Sequence, residues 1–314
     1  MTDSASTSEN TAPAYVAVDW GTTSFRLWLL SPAGTVLGER RSREGMTTGA
    51  ADNSFAKILA SHLDALKAPA DIPVVICGMA GARQGWMEAG YIDLPASLPA
   101  IFDGSVKIAG QARDIRILPG LAQRNTDHPD VMRGEETQLV GALSGTTGET
   151  QIVCMPGTHS KWVQLSGDKV ERFSTFMTGE LFDVISTHSV LSHSIANGKG
   201  GASPAFLAAV SKAFHAPESL TNLLFTVRSG QLLHGVEAEA SSAALSGYLL
   251  GAELAGGLAL APDARDICLV ATGPLKELYE AAFSVLDIRC QTVDADIAVR
   301  RGLFAAAQHI FAQI

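Results

Sequence analysis

Cysteine is scarce in this sequence, positive charge is outweighed, and no long apolar run is free of charge. Each shortage closes a class of function. Only four cysteines occur in 314 residues (Cys77, Cys154, Cys268 and Cys290), with no Cys-x-x-Cys spacing. That argues against a disulfide framework and a cysteine zinc site, and it predicts reduced, buried thiols in a cytoplasmic protein. The 23 Lys and Arg are outnumbered by 32 Asp and Glu, for a formal net charge of -9, so no broad basic surface is available for nucleic acid. The longest apolar stretch, Ala243 to Ala261, carries four glycines together with Ser246 and Glu253. A carboxylate there is costly in a bilayer, so the stretch reads as a buried, closely packed helix and no membrane association is expected. Met1 to Pro13 is polar and lacks the basic start and apolar centre of a signal peptide; it reads as a loose tail.

Several catalytic signatures are missing too. Gly198-Lys-Gly200 has neither the upstream glycine nor the Ser/Thr of a P-loop. His188 and His193 are spaced wrongly for a zincin helix, and no Gly-x-Ser-x-Gly elbow occurs.

What is present is ample core-forming material, with 46% hydrophobic and 18% charged residues, and a length that suits two domains. Tyr15–Val18 reads as a buried strand, followed by the turn Asp19-Trp-Gly-Thr-Thr-Ser24, a strand from Phe25 to Leu30, a turn at Ser31–Gly34 and a third strand from Thr35 to Glu39. Phe55 to Leu66 has helical spacing, and Pro73–Cys77 reads as another buried strand leading into Gly78-Met-Ala-Gly-Ala-Arg83. The opening plan then recurs. Gln151–Met155, the turn Pro156-Gly-Thr-His-Ser160, Lys161–Leu165, a turn at Gly167-Asp168 and Lys169–Phe173 repeat it, so a β-meander with a Gly-Thr turn is duplicated. Phe176 to His234 reads as mostly helical, with a glycine-rich stretch at Asn197–Gly201. A late strand follows at Ile267–Ala271, and then helices at Pro274–Phe283 and Ala298–Phe311.

The two turns carry the chemistry. Gly21 lets backbone amides approach phosphate oxygens, Thr22 and Thr23 supply hydroxyls, and Asp19 just before them can hold Mg²⁺ through water. Gly157 and Thr158 repeat the arrangement, with His159 and Lys161 as sources of positive charge, although Lys161 equally reads as a solvated strand residue.

Paired phosphate turns on a duplicated meander resemble the actin-like superfamily of hexokinases and sugar kinases. Within it, Val18–Arg26, Gly78–Arg83, Arg133-Gly-Glu-Glu-Thr-Gln138, Pro156–Trp162 and Phe176-Met-Thr-Gly-Glu-Leu-Phe182 together resemble the 2-dehydro-3-deoxygalactonokinase family. The resemblance implies an α/β fold of two actin-like (ribonuclease H-like) domains, 14–125 and 126–314, with an interdomain ATP cleft and the last helix, 298–314, returning toward the first domain. It implies ATP and Mg²⁺ as cofactors, 2-dehydro-3-deoxy-D-galactonate as acceptor and its 6-phosphate as product, within galactonate breakdown. Glu135 or Glu136 stands where sugar kinases carry the catalytic base, with Asp183 an outside candidate and helix-dipole pairing the plain alternative. Arg83, Arg26 and Arg133 are candidates for the acceptor's carboxylate, and Gly273 for packing against adenosine. An exopolyphosphatase-like phosphohydrolase and a non-catalytic sugar-binding regulator are the competing readings. A homodimer is expected on prevalence alone.

Overall fold

The computed structural model describes residues 12–144, 152–195, 200–264 and 266–311. The N-terminal tail as far as Thr11, Gln151, and residues 197–199 of the glycine-rich stretch lie outside the described residues. The chain forms two compact units. The first comprises Met1–Thr147, Asp168–Val170 and Ala295–Ile314, and the second Gly148–Gly167 and Glu171–Asp294.

In the first unit, β1 (Tyr15–Trp20), β2 (Phe25–Leu30) and β3 (Val36–Ser42) form an antiparallel meander. Helices α1 (Met46–Ala51) and α2 (Phe55–Ala65) lead to β4 (Val74–Gly78), which pairs parallel with β1. Short elements follow: β5 (Tyr91–Asp93), β6 (Ala96–Ser97), α3 (Leu98–Asp103), β7 (Val106–Lys107), β8 (Ile115–Ile117), β9 (Gly120–Gln123), β10 (Asp130–Met132) and α4 (Glu135–Leu143). The main sheet runs β3-β2-β1-β4-β8-β7, and a small sheet runs β10-β9-β5. Lys169 and Val170, grouped with this unit, pair with Ser97 and Ala96. β4 is buried throughout and β1 nearly so, which is why both read as continuous apolar runs rather than alternating ones. Trp20 anchors the core with edge-on contacts to Phe25, Phe55 and Trp86.

The second unit repeats the plan with β11 (Ile152–Met155), β12 (Ser160–Ser166) and β13 (Lys169–Phe176). Then come α5 (Thr178–His188), α6 (Ser192–Ile195), α7 (Pro204–His215), α8 (Leu220–His234), α9 (Ala238–Leu258), β14 (Asp266–Val270), α10 (Gly273–Val285) and β15 (Arg289–Val293). Its strands are ordered β15-β14-β11-β12-β13, with β14 parallel to both β11 and β15. Reversed, that is the order β3-β2-β1-β4-β8 of the first unit, so the duplicated meander extends to a duplicated α/β sheet. The expected α/β fold is the observed one. Helix α9 carries the long apolar stretch and packs on α7: a Cβ at Gly247 or Gly251 would lie 2.4 or 2.3 Å from a backbone oxygen of that helix. Among the described residues no helix is long and apolar enough to cross a membrane.

The last helix, α11 (Ala295–Phe311), belongs to the first unit and packs on α4. A Cβ at Gly141 would fall 1.8 Å from the Ala298 oxygen, and one at Gly302 would fall 1.9 Å from that of Thr137. Backbone touches backbone there, and this fixes the seat of α4.

Candidate active site

In the first unit the chain leaves β1 at Asp19-Trp20 and reverses through Gly21–Ser24, where the Gly21 amide donates to the Ser24 oxygen at 2.9 Å. The start of α1 clamps this turn from behind. The amides of Met46 and Thr47 donate to the oxygens of Gly21 (2.9 Å) and Thr22 (3.1 Å), and the Thr47 hydroxyl donates to Thr22 as well (3.0 Å). Thr22 and Thr23 remain exposed. The Asp19 carboxylate accepts an ion pair from Arg26 at 3.1 Å. Burial pushes its pKa up and Arg26 pulls it back. Arg26 also pairs with Asp296 at the start of α11, which Arg41 holds at 2.9 Å.

Two glycines bring α4 to this carboxylate. Gly78 (φ +88) and Gly134 (φ +106) adopt conformations that side chains disfavour. A Cβ on Gly134 would lie 3.4 Å from Gly78, and one on Gly78 would lie 2.7 Å from the Trp20 oxygen. Glu135 then bears electrostatically on Asp19. The paired glutamates differ. Glu136 is fully buried, with Oε2 accepting the Gly134 amide (2.6 Å) and Oε1 the Thr137 hydroxyl (3.0 Å). Burial, and then the neighbouring Glu135, raise its pKa from 4.5 to about 7. Glu135 is half-buried and accepts the Arg133 amide at 3.1 Å.

The three candidate arginines occupy different environments. Arg26 is shared between two carboxylates. Arg83 is exposed. Arg133 stacks its guanidinium over Tyr91 at 4.4 Å and donates Nη2 to the Gly90 oxygen at 2.7 Å, while its buried Nε and Nη1 have no partner among the described residues.

In the second unit Gly157 and Thr158 form the turn after β11, and the start of α5 packs onto it. The Glu180 amide donates to the Thr158 oxygen at 3.1 Å, and a Cβ on Gly179 would lie 2.6 Å from the Gly157 oxygen. Glu180 also hydrogen-bonds the His159 ring. Lys161 is buried, with Nζ donating to the His159 oxygen at 3.2 Å, so it braces the turn's own backbone and is not a solvated strand residue. Beside Gly157 opens a cavity of about 220 Å³, walled by Gly179, Leu249, Leu250, Leu275 and Tyr279 among others. Gly273 (φ +59) opens α10, the helix that contributes Leu275 and Tyr279.

The profile of the 2-keto-3-deoxy-galactonokinase family matches residues 19–306, a span that includes both turns and the Glu135–Glu136 pair. The chain belongs to this family. The kinase family's curated members agree. A "probable 2-dehydro-3-deoxygalactonokinase" of Rhizobium meliloti (strain 1021) is 56% identical over 96% of this chain and 99% of its own. The 2-dehydro-3-deoxygalactonokinase of Escherichia coli (strain K12) is 34% identical over 94% of this chain and 98% of its own. A crystal structure from Sinorhizobium meliloti, provisionally described as a 2-dehydro-3-deoxygalactonokinase, superposes with a TM-score of 0.92 over 95% of this chain and 99% of that one, at 56% identity. At 13% identity, the activator of 2-hydroxyisocaproyl-CoA dehydratase from Clostridium difficile shares the fold alone, with a TM-score of 0.50 over 96% of this chain and 97% of that one.

For this member of the kinase family, residue-by-residue reading of the motifs missed Asp296, Glu180 and Tyr279. Asp296 reaches Arg26 from 270 positions away, and no local pattern signals such a pairing. Glu180 lies within the motif Phe176–Phe182, but nothing in that run says it faces His159. Among the described residues no group of three or more His, Cys, Asp or Glu side chains is arranged to hold a metal ion.

Proposed function

We propose that this protein transfers the γ-phosphoryl group of ATP to the 6-hydroxyl of 2-dehydro-3-deoxy-D-galactonate in galactonate breakdown. The observation that carries the reading is family membership over nearly the whole chain, joined to two Gly-Thr turns at matching places in sheets of the same strand order. The phosphohydrolase and regulator readings are not favoured by that membership.

Gly21–Thr23 in the first unit and Gly157–Thr158 in the second would each offer close approach and hydroxyls to phosphate oxygens. The apolar cavity beside Gly157 would take the nucleoside, with Gly273, which opens α10, as a further proposed contact. Asp19 suits a hydrated divalent cation. Its side chain is 13% exposed beside the first turn, and the negative charges of Asp296 and Glu135 bear on it. With no cage of protein ligands among the described residues, Mg²⁺ would keep most of its water. When bound, the ion neutralises phosphate charge.

Of the two glutamates, Glu135 is the proposed base. Both Glu136 oxygens are spent on its own helix start and the side chain is fully buried, whereas Glu135 is half-buried and can receive the acceptor's proton. Geometry takes precedence over the better-matched pKa of Glu136. Arg133 is the proposed receiver of the acceptor's carboxylate, since its Nε and Nη1 are buried with no partner among the described residues, a desolvated cationic group that calls for an anion, whereas Arg26 is already neutralised. Positioning and charge neutralisation supply most of the catalysis. An ATP enzyme with reduced thiols also fits a cytoplasmic setting.

The test is a coupled ADP-release assay with Mg²⁺–ATP against a panel of 2-keto-3-deoxy acids and neutral hexoses. Turnover on 2-dehydro-3-deoxygalactonate, with little on glucose and none without sugar, is the expected result. ADP release without any sugar would overturn it in favour of a hydrolase. Arg133→Lys should raise KM for the acid roughly 10- to 100-fold, the cost of losing hydrogen bonds to a charged group, and should leave KM for ATP in place.

A further inference from the structure

Glu253 is a carboxyl group that the phosphoryl-transfer chemistry does not use. It is 2% exposed, in the apolar core of the second unit. Burying a carboxyl costs several kcal/mol unless hydrogen bonds offset it, so its partners indicate what it is for. Oε1 accepts two donors, the Trp162 indole N–H at 2.9 Å and the Tyr279 hydroxyl at 2.7 Å. The Tyr279 hydroxyl is also 3.0 Å from the Ser160 hydroxyl. The Thr178 and Ser160 hydroxyls also bear on the carboxyl, while Oε2 completes no full hydrogen bond among the described residues.

The positions of these partners matter more than their number. Ser160 is the first residue of β12, directly after the second phosphate turn, and Trp162 follows on the same strand. Tyr279 walls the cavity beside Gly157, on the helix that also contributes Leu275 and Leu278. Ser246, Leu249 and Leu250 of α9 line the same cavity, and Glu253 continues their helical face at the next i+3/i+4 step. One carboxyl group therefore joins two helical walls of the cavity, α9 and α10, to the strand that leaves the proposed phosphate turn. Apolar walls have no directional contacts of their own, so without this tie the Tyr279 ring and the end of the turn are free to drift relative to each other.

We infer that Glu253 is a positioning residue for nucleotide binding, locking the Tyr279 wall of the cavity in register with the second phosphate turn through Ser160 and Trp162. This rests on the reading of that cavity as the nucleotide pocket. Glu253 touches no substrate and acts through Tyr279 and Ser160.

The experiment compares Glu253→Gln, Glu253→Met and Tyr279→Phe with the unmodified protein. It measures ATP dissociation constants by calorimetry, KM for each substrate, kcat at saturating ATP, and thermal midpoints. Glu253→Met should weaken ATP binding roughly 10-fold, the scale of losing one or two buried hydrogen bonds. KM for the sugar acid and kcat at saturating ATP should stay near their original values. Glu253→Gln keeps an acceptor oxygen and should restore most of the affinity. Tyr279→Phe keeps the ring but cuts the tie, so it should lose affinity too, and adding it to Glu253→Met should cost little more. The inference is overturned if the variants lose only thermal stability while ATP affinity holds, or if KM for both substrates shifts alike. Should Glu253→Met fail to fold, the conservative Tyr279→Phe decides by itself. An unmodified protein that binds no ATP would sink the kinase reading and this inference together, whereas normal ATP binding in every variant would sink this inference alone.

Discussion

The two units share a strand order, yet their Gly-Thr turns are backed by opposite environments. Behind the first turn lies a set of charged groups: Asp19, Arg26 and Asp296, with Glu135 and Glu136 at the start of α4. Beside the second lies an apolar cavity walled by leucines, Tyr279 and three glycines, and the buried carboxyl of Glu253 is joined to it through Tyr279. A duplicated scaffold has been divided by side-chain choice. The charged half suits metal, proton and acceptor handling, and the apolar half suits a flat base. If both turns bind phosphate, as proposed, their common backbone follows, because each must offer close approach and hydroxyls.

If this division holds, damage to the two halves should separate kinetically. The largest effect is expected from Glu135→Gln, which should lower kcat by about 10²–10⁴ with little change in KM for ATP, as measured by coupled ADP release. An equal loss from Glu136→Gln alone would transfer the base role to the buried neighbour.

Next comes the pH dependence of stability. Glu136 has its pKa raised to about 7 by burial and by Glu135, against 4.5 when unfolded. Its stabilising effect is full below 4.5 and is lost as pH rises through about 7. Relative to Glu136→Gln, the unmodified protein should lose about 3 kcal/mol as pH rises from roughly 4 to 7.5, and little more above that. Denaturant unfolding at several pH values checks this, and a flat difference would contradict it.

In the apolar half, Gly179→Ala places a Cβ 2.6 Å from the Gly157 oxygen. Overpacking of about 1–3 kcal/mol should raise KM for ATP about 5- to 100-fold and leave KM for the acid unchanged, as read from initial rates with each substrate varied. A change in the acid's KM would break the proposed division. The smallest effect is expected from His159→Gln. Its pair with Glu180 is about half exposed, so stability should change by no more than about 1 kcal/mol in thermal melts.

Much of the architecture was legible because it is written in local chain order. β1, β4 and β11 are apolar runs ended by glycine or turn residues, and burial on both faces makes such runs visible. The glycines of the Ala243–Ala261 stretch marked helix packing, and α9 meets α7 at Gly247 and Gly251. Lys161 was ambiguous, since charge alone does not say whether a strand residue faces solvent; it is buried against its own turn. Glu253 was visible only as an argument against a membrane span, because its partners lie 91 and 26 residues away.

The sequence by itself determined the duplicated meander, its two Gly-Thr turns and the family, since each rests on residues adjacent in the chain. Only the tertiary structure decided which charges meet. It brought Asp296 to Arg26, distinguished Glu135 from Glu136 by burial, and gathered Glu253, Tyr279 and Ser160 into one network. The physical reason is that burial and electrostatic coupling depend on distances in space, and close packing at Gly78, Gly134, Gly141 and Gly302 sets those distances.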